Sequence, residues 1–195
     1  MEKYHTPYRV ENPFHLLITG GSQGARFLSR MVPEALLQLP DEIKANLQIT
    51  QQARAEDVDE LQKKYQNVGF YATTVQPFFE DIPTLLAHAH LVICRSGSST
   101  LAELAIVGRP GIFIPLPTSA DNHQFENARQ FMEAGAGWLV AEKDFDAEKL
   151  TTRLMALIQN KVELEMAAQA CLKLAHPDVA QKMVALVDSV LKGKK

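Results

Sequence analysis

Disulfide chemistry has almost nothing to work with in this chain. Its 195 residues include two cysteines, Cys94 and Cys171, far apart and in no metal-type pair. A disulfide framework is excluded, both thiols read as small buried residues, and a reducing cytoplasm fits. No apolar run approaches the roughly 20 residues of a membrane span. The first residues, MEKYHTPYRVENP, carry no apolar signal core. A net charge of −3 gives no support to broad nucleic-acid affinity. Internal repeats and low-complexity tracts are lacking. Tryptophan occurs once, at Trp138, and reads as core packing. What remains is an ordinary soluble composition, 46% hydrophobic and 22% charged, in a chain long enough for one α/β domain with a real core.

The most informative stretch is Leu91–Pro117, LVICRSGSSTLAELAIVGRPGIFIPLP. Leu91 to Cys94 is a short apolar run that predicts a buried strand. Arg95-Ser96-Gly97-Ser98-Ser99-Thr100 is a turn of small and hydroxyl-bearing residues. Leu101, Leu104, Ala105 and Val107 then share a helix face that stops at Gly108, and Ile112–Pro115 is a second apolar run. The pattern is a βαβ unit with strands buried on both faces. Its turn offers backbone N–H groups at a helix N-terminus, where an anion is favoured. Ser98, Ser99 and Thr100 can cap that helix or bond a ligand, and Glu103 lies in its first turn.

In chain order, residues 1–13 read as an interdomain tether, with a further segment expected before it, and residues 14–195 as one ligand-binding domain. Phe14–Thr19 is the first strand. Gly20-Gly21-Ser22-Gln23-Gly24-Ala25-Arg26 follows as a second anion-type turn, or as a simple tight turn without ligand. It is no Walker loop, because no Gly-Lys-Ser/Thr follows. Helix is expected through Leu39, with Pro33 starting or kinking its main segment. Ala45–Gln51 is the second strand, Glu56–Gln66 an amphipathic helix, and Val68–Ala72 the third strand. Phe78 and Phe79 then sit in a loop, as core residues or as flanks for a planar ligand, and Asp81 caps the next helix. After the central stretch, Asp121, His123, Gln124 and Asn127 place polar groups on the first turns of a helix that runs to about Glu133. A solvated helix start explains them equally. Trp138–Val140 is the sixth strand, and helices are expected at about 147–159, 161–175 and 178–191.

Six strands alternating with helices predict a Rossmann-like, doubly wound parallel sheet with C-terminal helices. In the common order 3-2-1-4-5-6, strands one and four are neighbours. Ligands bind at that switch point, outside the carboxyl ends of the strands. Both anion-type turns would then face one crevice, with the loops after strands three and five beside them. A phosphate-containing ligand with a planar base and hydroxyl groups satisfies all four loops, and an ionised Glu103 suits ribose hydroxyls.

GGSQGAR, CRSGSSTLAE, GRPGIFIPLP and DNHQFENA, in this order, resemble the C-terminal domain of the MurG family. These are the UDP-N-acetylglucosamine:undecaprenyl-pyrophosphoryl-muramoyl-pentapeptide N-acetylglucosaminyltransferases of peptidoglycan synthesis. The resemblance covers nearly the whole chain from Phe14. It implies the donor-binding half of a GT-B glycosyltransferase. By that resemblance, Gly21, Ser22, Gln23 and Gly24 face the donor diphosphate, and Phe79 lies at the uracil contact, made largely by backbone. Arg95, Ser96, Gly97, Ser98, Ser99, Thr100, Leu101, Ala102 and Glu103 line the nucleotide, with Thr100 near phosphate and Glu103 on the ribose. Asp121, His123, Gln124 and Asn127 lie near the sugar.

The implied reaction is inverting transfer from UDP-N-acetylglucosamine to the muramoyl C4 hydroxyl of lipid I, giving lipid II. No cofactor and no metal is expected, on the reading that no Asp-x-Asp metal motif or carboxylate cluster appears and that no second histidine stands at ligand spacing from His123. No general base is found in this chain. The base, the acceptor surface and the contact with the cytoplasmic side of the inner membrane are expected in the family's N-terminal domain, so the chain alone is expected to be inactive. Two other readings stay open. One is the soluble subunit of a split transferase for lipid-linked oligosaccharides, and the other is a non-catalytic nucleotide-binding regulatory module. A Rossmann dehydrogenase is disfavoured, because no acidic residue ends the second strand.

Overall fold

A computed structural model of the chain describes residues 7–21 and 26–176. The expected helix over 178–191 lies outside these residues. Each apolar run becomes a strand because its side chains are buried on both faces. Strand β1 (Phe14–Thr19) and strand β4 (Leu91–Cys94) are buried at every position. The other strands are β2 (Leu47–Gln52), β3 (Ala72–Gln76), β5 (Gly111–Phe113) and β6 (Gly137–Leu139). They form one six-stranded sheet in the order β3-β2-β1-β4-β5-β6, and every pairing is parallel.

The helices are α1 (Arg26–Leu37), α2 (Asp41–Lys44), α3 (Ala55–Tyr65), α4 (Ile82–His88), α5 (Ser98–Val107), α6 (His123–Glu133), α7 (Ala147–Gln159) and α8 (Lys161–Lys173). Alternate strand residues supply two cores, as the two-residue period requires. Leu16, Ile18, Leu91, Ile93 and Ile112 meet α1, α3 and α7 on one face. Leu17, Val92, Cys94 and Phe113 meet α4, α5 and α6 on the other. Asp81 caps α4 by accepting the Thr84 N–H at 3.0 Å.

The third strand lies later than its apolar residues suggest. Asn67 and Gly69 both have positive φ, 60° and 94°, so the backbone turns where Val68–Ala72 was expected to extend. The observed β3 is an edge strand and needs only Val75 fully buried, which leaves little hydrophobic signal. The short helix α2, one turn after Pro40, was not anticipated.

Gly108 ends α5 in the left-handed conformation, φ 63°. A Cβ there would lie 2.6 Å from the Leu172 side chain of α8, so the residue both turns the chain and admits α8. Gly108→Ala is expected to lower unfolding free energy by about 1–3 kcal/mol through strain and displaced packing. Denaturant titration of the two proteins checks this.

Residues 7–13 form no helix or strand, yet they are fastened to the amino-terminal edge of the sheet. The Tyr8 hydroxyl donates to the His90 carbonyl at 2.6 Å, and Lys161 Nζ donates to the Val10 carbonyl at 3.1 Å. The Arg109 guanidinium lies 5.2 Å from the Tyr8 ring centroid. His90 Nδ1 accepts the His15 N–H at 2.8 Å, so that nitrogen must keep its lone pair. Burial, with the charges of His15, Arg109 and Lys161 nearby, holds the His90 pKa down to about 4, against an ordinary 6.5. Burial lowers that of His15 as well. The unfolded chain therefore takes up protons near pH 6.5 that the folded chain refuses until about pH 4. Stability is full above this window and is lost as pH falls through it. Thermal melting is expected to show a lower Tm at about pH 5 than at about pH 7.5. The difference should shrink in His90→Asn; an unchanged pH dependence in that variant would contradict this role.

Candidate functional site

Parallel pairing of β1 with β4 sets the site. Thr19, the last residue of β1, stands in register with Cys94, the last of β4. Gly20 and Gly21 therefore leave the sheet beside Arg95 and Ser96. Ser22, Gln23 and Gly24 lie outside the described residues. The loops after β3 and β5 open at the same edge, because all strands run the same way.

A polar relay through the end of β2 joins two of these loops. The Gly21 N–H donates to Thr19 Oγ1 at 3.3 Å, the Thr19 hydroxyl donates to Gln52 Oε1 at 2.8 Å, and Gln52 Nε2 donates to the Pro77 carbonyl at 3.3 Å. Neither Thr19 nor Gln52 was singled out from sequence. The only sign was a polar residue at the end of each strand, and in β2, LQITQQ, it is one polar residue among several. Beyond Pro77 the Phe79 ring is buried, so only its backbone faces the loop surface, while the Phe78 ring is 65% exposed.

Helix α5 begins with Gly97 at its N-cap and no side-chain cap. Ser98, Ser99 and Thr100 are its first three residues, so they do not cap it, and its leading N–H groups lack a side-chain acceptor. Ser98 and Ser99 are exposed and Thr100 half-buried. Leu101 points into the core, so only its backbone faces the turn. Ala102 and Glu103 are exposed. The protein beside Glu103 still desolvates its carboxyl enough to raise its pKa above the usual range.

The start of α6 is locked to this turn. Buried Ser96 donates its hydroxyl to the Gln124 carbonyl at 2.7 Å, and Asn127 Nδ2 donates to the Ser96 carbonyl at 3.2 Å. Gln124 Oε1 accepts the Leu116 N–H at 3.0 Å. These bonds orient both amides. His123 Nδ1 lies 2.6 Å from the Ala120 carbonyl oxygen. A carbonyl only accepts, so Nδ1 carries the hydrogen. Asp121 and Asn122 precede it with consecutive positive φ values of 47° and 55°. Arg95 is engaged by protein: Nη1 donates to the Ile114 and Pro115 carbonyls at 3.0 and 3.1 Å, and Nη2 pairs with Glu142.

Contrary to the expectation that no Asp-x-Asp motif appears, Asp57–Asp59 and Asp144–Asp146 both have that spacing; neither lies on the loops just described. Among the described residues no group of three or more His, Cys, Asp or Glu side chains is placed to hold a metal ion. No helix among them is long and apolar enough to cross a membrane.

An open helix N-terminus beside a glycine-rich turn, at the switch point of a doubly wound sheet, places the fold in the Rossmann-like class. Comparison narrows the class. The model of the glycosyltransferase family 28 C-terminal domain matches residues 15–183, and the chain belongs to this family. The chain is 45% identical over 183 residues to the UDP-N-acetylglucosamine–N-acetylmuramyl-(pentapeptide) pyrophosphoryl-undecaprenol N-acetylglucosamine transferase of Methylobacterium nodulans, covering 94% of this chain and 49% of that protein. It is 38% identical over 190 residues to the Brucella canis protein of the same name, with 97% and 50% covered. The crystal structure of Acinetobacter baumannii MurG superposes with a TM-score of 0.83 at 32% identity, over 91% of this chain and 52% of that one. The fold is thus that of the C-terminal domain of a GT-B glycosyltransferase, and the chain spans about half the length of the curated relatives it matches.

Removing the Ser96 hydroxyl breaks the buried bond that holds α6 to the β4–α5 turn. Ser96→Ala is expected to cost about 1 kcal/mol of stability, read as a lower denaturation midpoint. An unchanged midpoint would mean that the α6 contact is held without it.

Proposed function

We propose that this chain is the donor-binding half of an inverting N-acetylglucosaminyltransferase that uses UDP-N-acetylglucosamine, with the muramoyl C4 hydroxyl of lipid I as acceptor. The observation that carries the reading is the uncapped α5 N-terminus beside Gly20 and Gly21 in a family 28 domain. The departing diphosphate gains negative charge. Fixed N–H groups stabilise that charge without having to reorganise. Glu103 accepts from the ribose hydroxyls, which supply the hydrogen bonds its partly desolvated carboxyl lacks. The oriented amides of Gln124 and Asn127, with His123, take the sugar side. Residues 1–13 act as the connection to an acceptor domain corresponding to the rest of the relatives' length. That domain supplies the base, binds lipid I and meets the cytoplasmic face of the membrane. The transferase names carried by the long relatives favour this reading over a regulatory module or a split oligosaccharide enzyme.

Calorimetric titration tests it. The chain is expected to bind UDP and UDP-N-acetylglucosamine, with ADP as a weaker control, and to make no lipid II from a lipid I analogue. Glu103→Ala should weaken uridine-nucleotide binding by about one to two orders of magnitude, the value of a hydrogen bond to a charged acceptor. Equal affinity of the variant would leave Glu103 as a helix-start carboxylate. Turnover by the chain alone would place a base within it.

A further inference from the structure

Surface ion pairs such as Lys64–Glu34 and Arg129–Glu126 join side chains that are 32–50% exposed. Arg95–Glu142 is different, with side chains only 12% and 20% exposed. Taking both charges out of water is costly, and the cost is recovered only where geometry is good and the remaining donors are satisfied. Both conditions are met. The guanidinium fork uses one nitrogen on the Ile114 and Pro115 carbonyls just beyond β5 and the other on the Glu142 carboxylate. Its Cζ lies over the Phe27 ring, 5.8 Å from the centroid.

The segments so joined are those that shape the site. Arg95 opens the β4–α5 turn. Ile114 and Pro115 lead to the sugar-side loop. Phe27 stands in the first turn of α1, immediately after the glycine-rich turn. Glu142 begins a short 3-10 turn, Glu142–Asp144, and Phe145 just beyond it packs edge-on against Phe27 with centroids 5.3 Å apart. The start of α1 is therefore gripped from two sides, by Arg95 and by the turn that holds Glu142.

We propose that Arg95 and Glu142 are positioning residues that hold the start of α1 against the β4–α5 turn in the arrangement a ligand diphosphate requires, with Arg95 itself making no contact to the phosphates. This rests on the donor-site reading above. It differs from a direct phosphate role for Arg95 in the sign of one experiment. If Arg95 bound phosphate, Glu142 would compete for it, and removing the carboxylate charge would tighten UDP. If the pair is a strut, the same change loosens the turns and weakens UDP.

The test titrates UDP and uridine, which lacks the diphosphate, into the full 195-residue chain and its variants. Glu142→Gln is expected to bind UDP about tenfold more weakly, the factor a charged hydrogen bond carries, with uridine shifts changed less than about twofold. Glu142→Asp should recover part of the loss. Arg95→Lys, which keeps the charge but not the fork, should resemble Glu142→Gln. Unchanged or tighter UDP binding by Glu142→Gln overturns the proposal, as do equal losses for UDP and uridine, which mark a general loss of fold. Should Glu142→Gln fail to fold, Glu142→Asp and Arg95→Lys carry the same UDP-against-uridine comparison. A wild-type chain that responds to neither ligand removes the donor site and this proposal with it, an outcome distinct from a wild-type response shared by the variants.

Discussion

The parallel hydrogen-bonded pairing of β1 with β4 is the constraint on which everything else rests. It reverses the strand order in the middle of the sheet and sends helices to both faces. It also brings the carboxyl ends of two strands together, each followed by a turn into a helix. One turn contains Gly20 and Gly21, and the other contains Ser96 and Gly97. Had β1 and β4 been separated by another strand, roughly 4.8 Å of sheet would have been added between the turns. A single diphosphate would then meet only one helix terminus well.

Around that pairing, most polar side chains at the carboxyl edge bond to protein. Thr19 and Gln52 tie the glycine-rich turn to the loop after β3. Ser96 and Asn127 tie the β4–α5 turn to α6, and Arg95 ties it to the start of α1 and the β6–α7 turn. The α5 N-terminus is left open, capped by a glycine. A site whose supports are satisfied internally and whose helix end is unsatisfied is preorganised for an anion, since little reorganisation is needed when the anion arrives. The opposite edge has other work. There Tyr8, His90, Arg109 and Lys161 fasten residues 7–13 against the sheet.

Much of this was legible from residues. Short, mainly apolar runs such as Phe14–Thr19 and Leu91–Cys94, each followed by a turn, read as strands buried on both faces, and their alternation with helices pointed to a doubly wound sheet whose common order is the one observed. Gly108 and Asp81 announced a helix end and a helix start by their own chemistry. The third strand was misplaced because Val68 and Phe70 outweighed the turn-forming Asn67 and Gly69, and because an edge strand buries so little. The individual ligand roles came from family resemblance rather than from spacing. Glu142 was invisible: a lone glutamate far along the chain from Arg95 gives no local sign of an ion pair that forms only when β6 closes the sheet. Thr19 and Gln52 were hidden for a similar reason, since their bond joins strands that are adjacent only in space.

The most direct measurement of the central claim is amide chemical-shift mapping of the isotope-labelled chain with UDP. The account predicts that Gly20, Gly21, Gly97, Ser98, Ser99 and Glu103 shift together along one binding curve, while Tyr8, His90 and Arg109 at the opposite edge stay in place. Shifts confined to a single turn, or centred on the amino-terminal edge of the sheet, would contradict it.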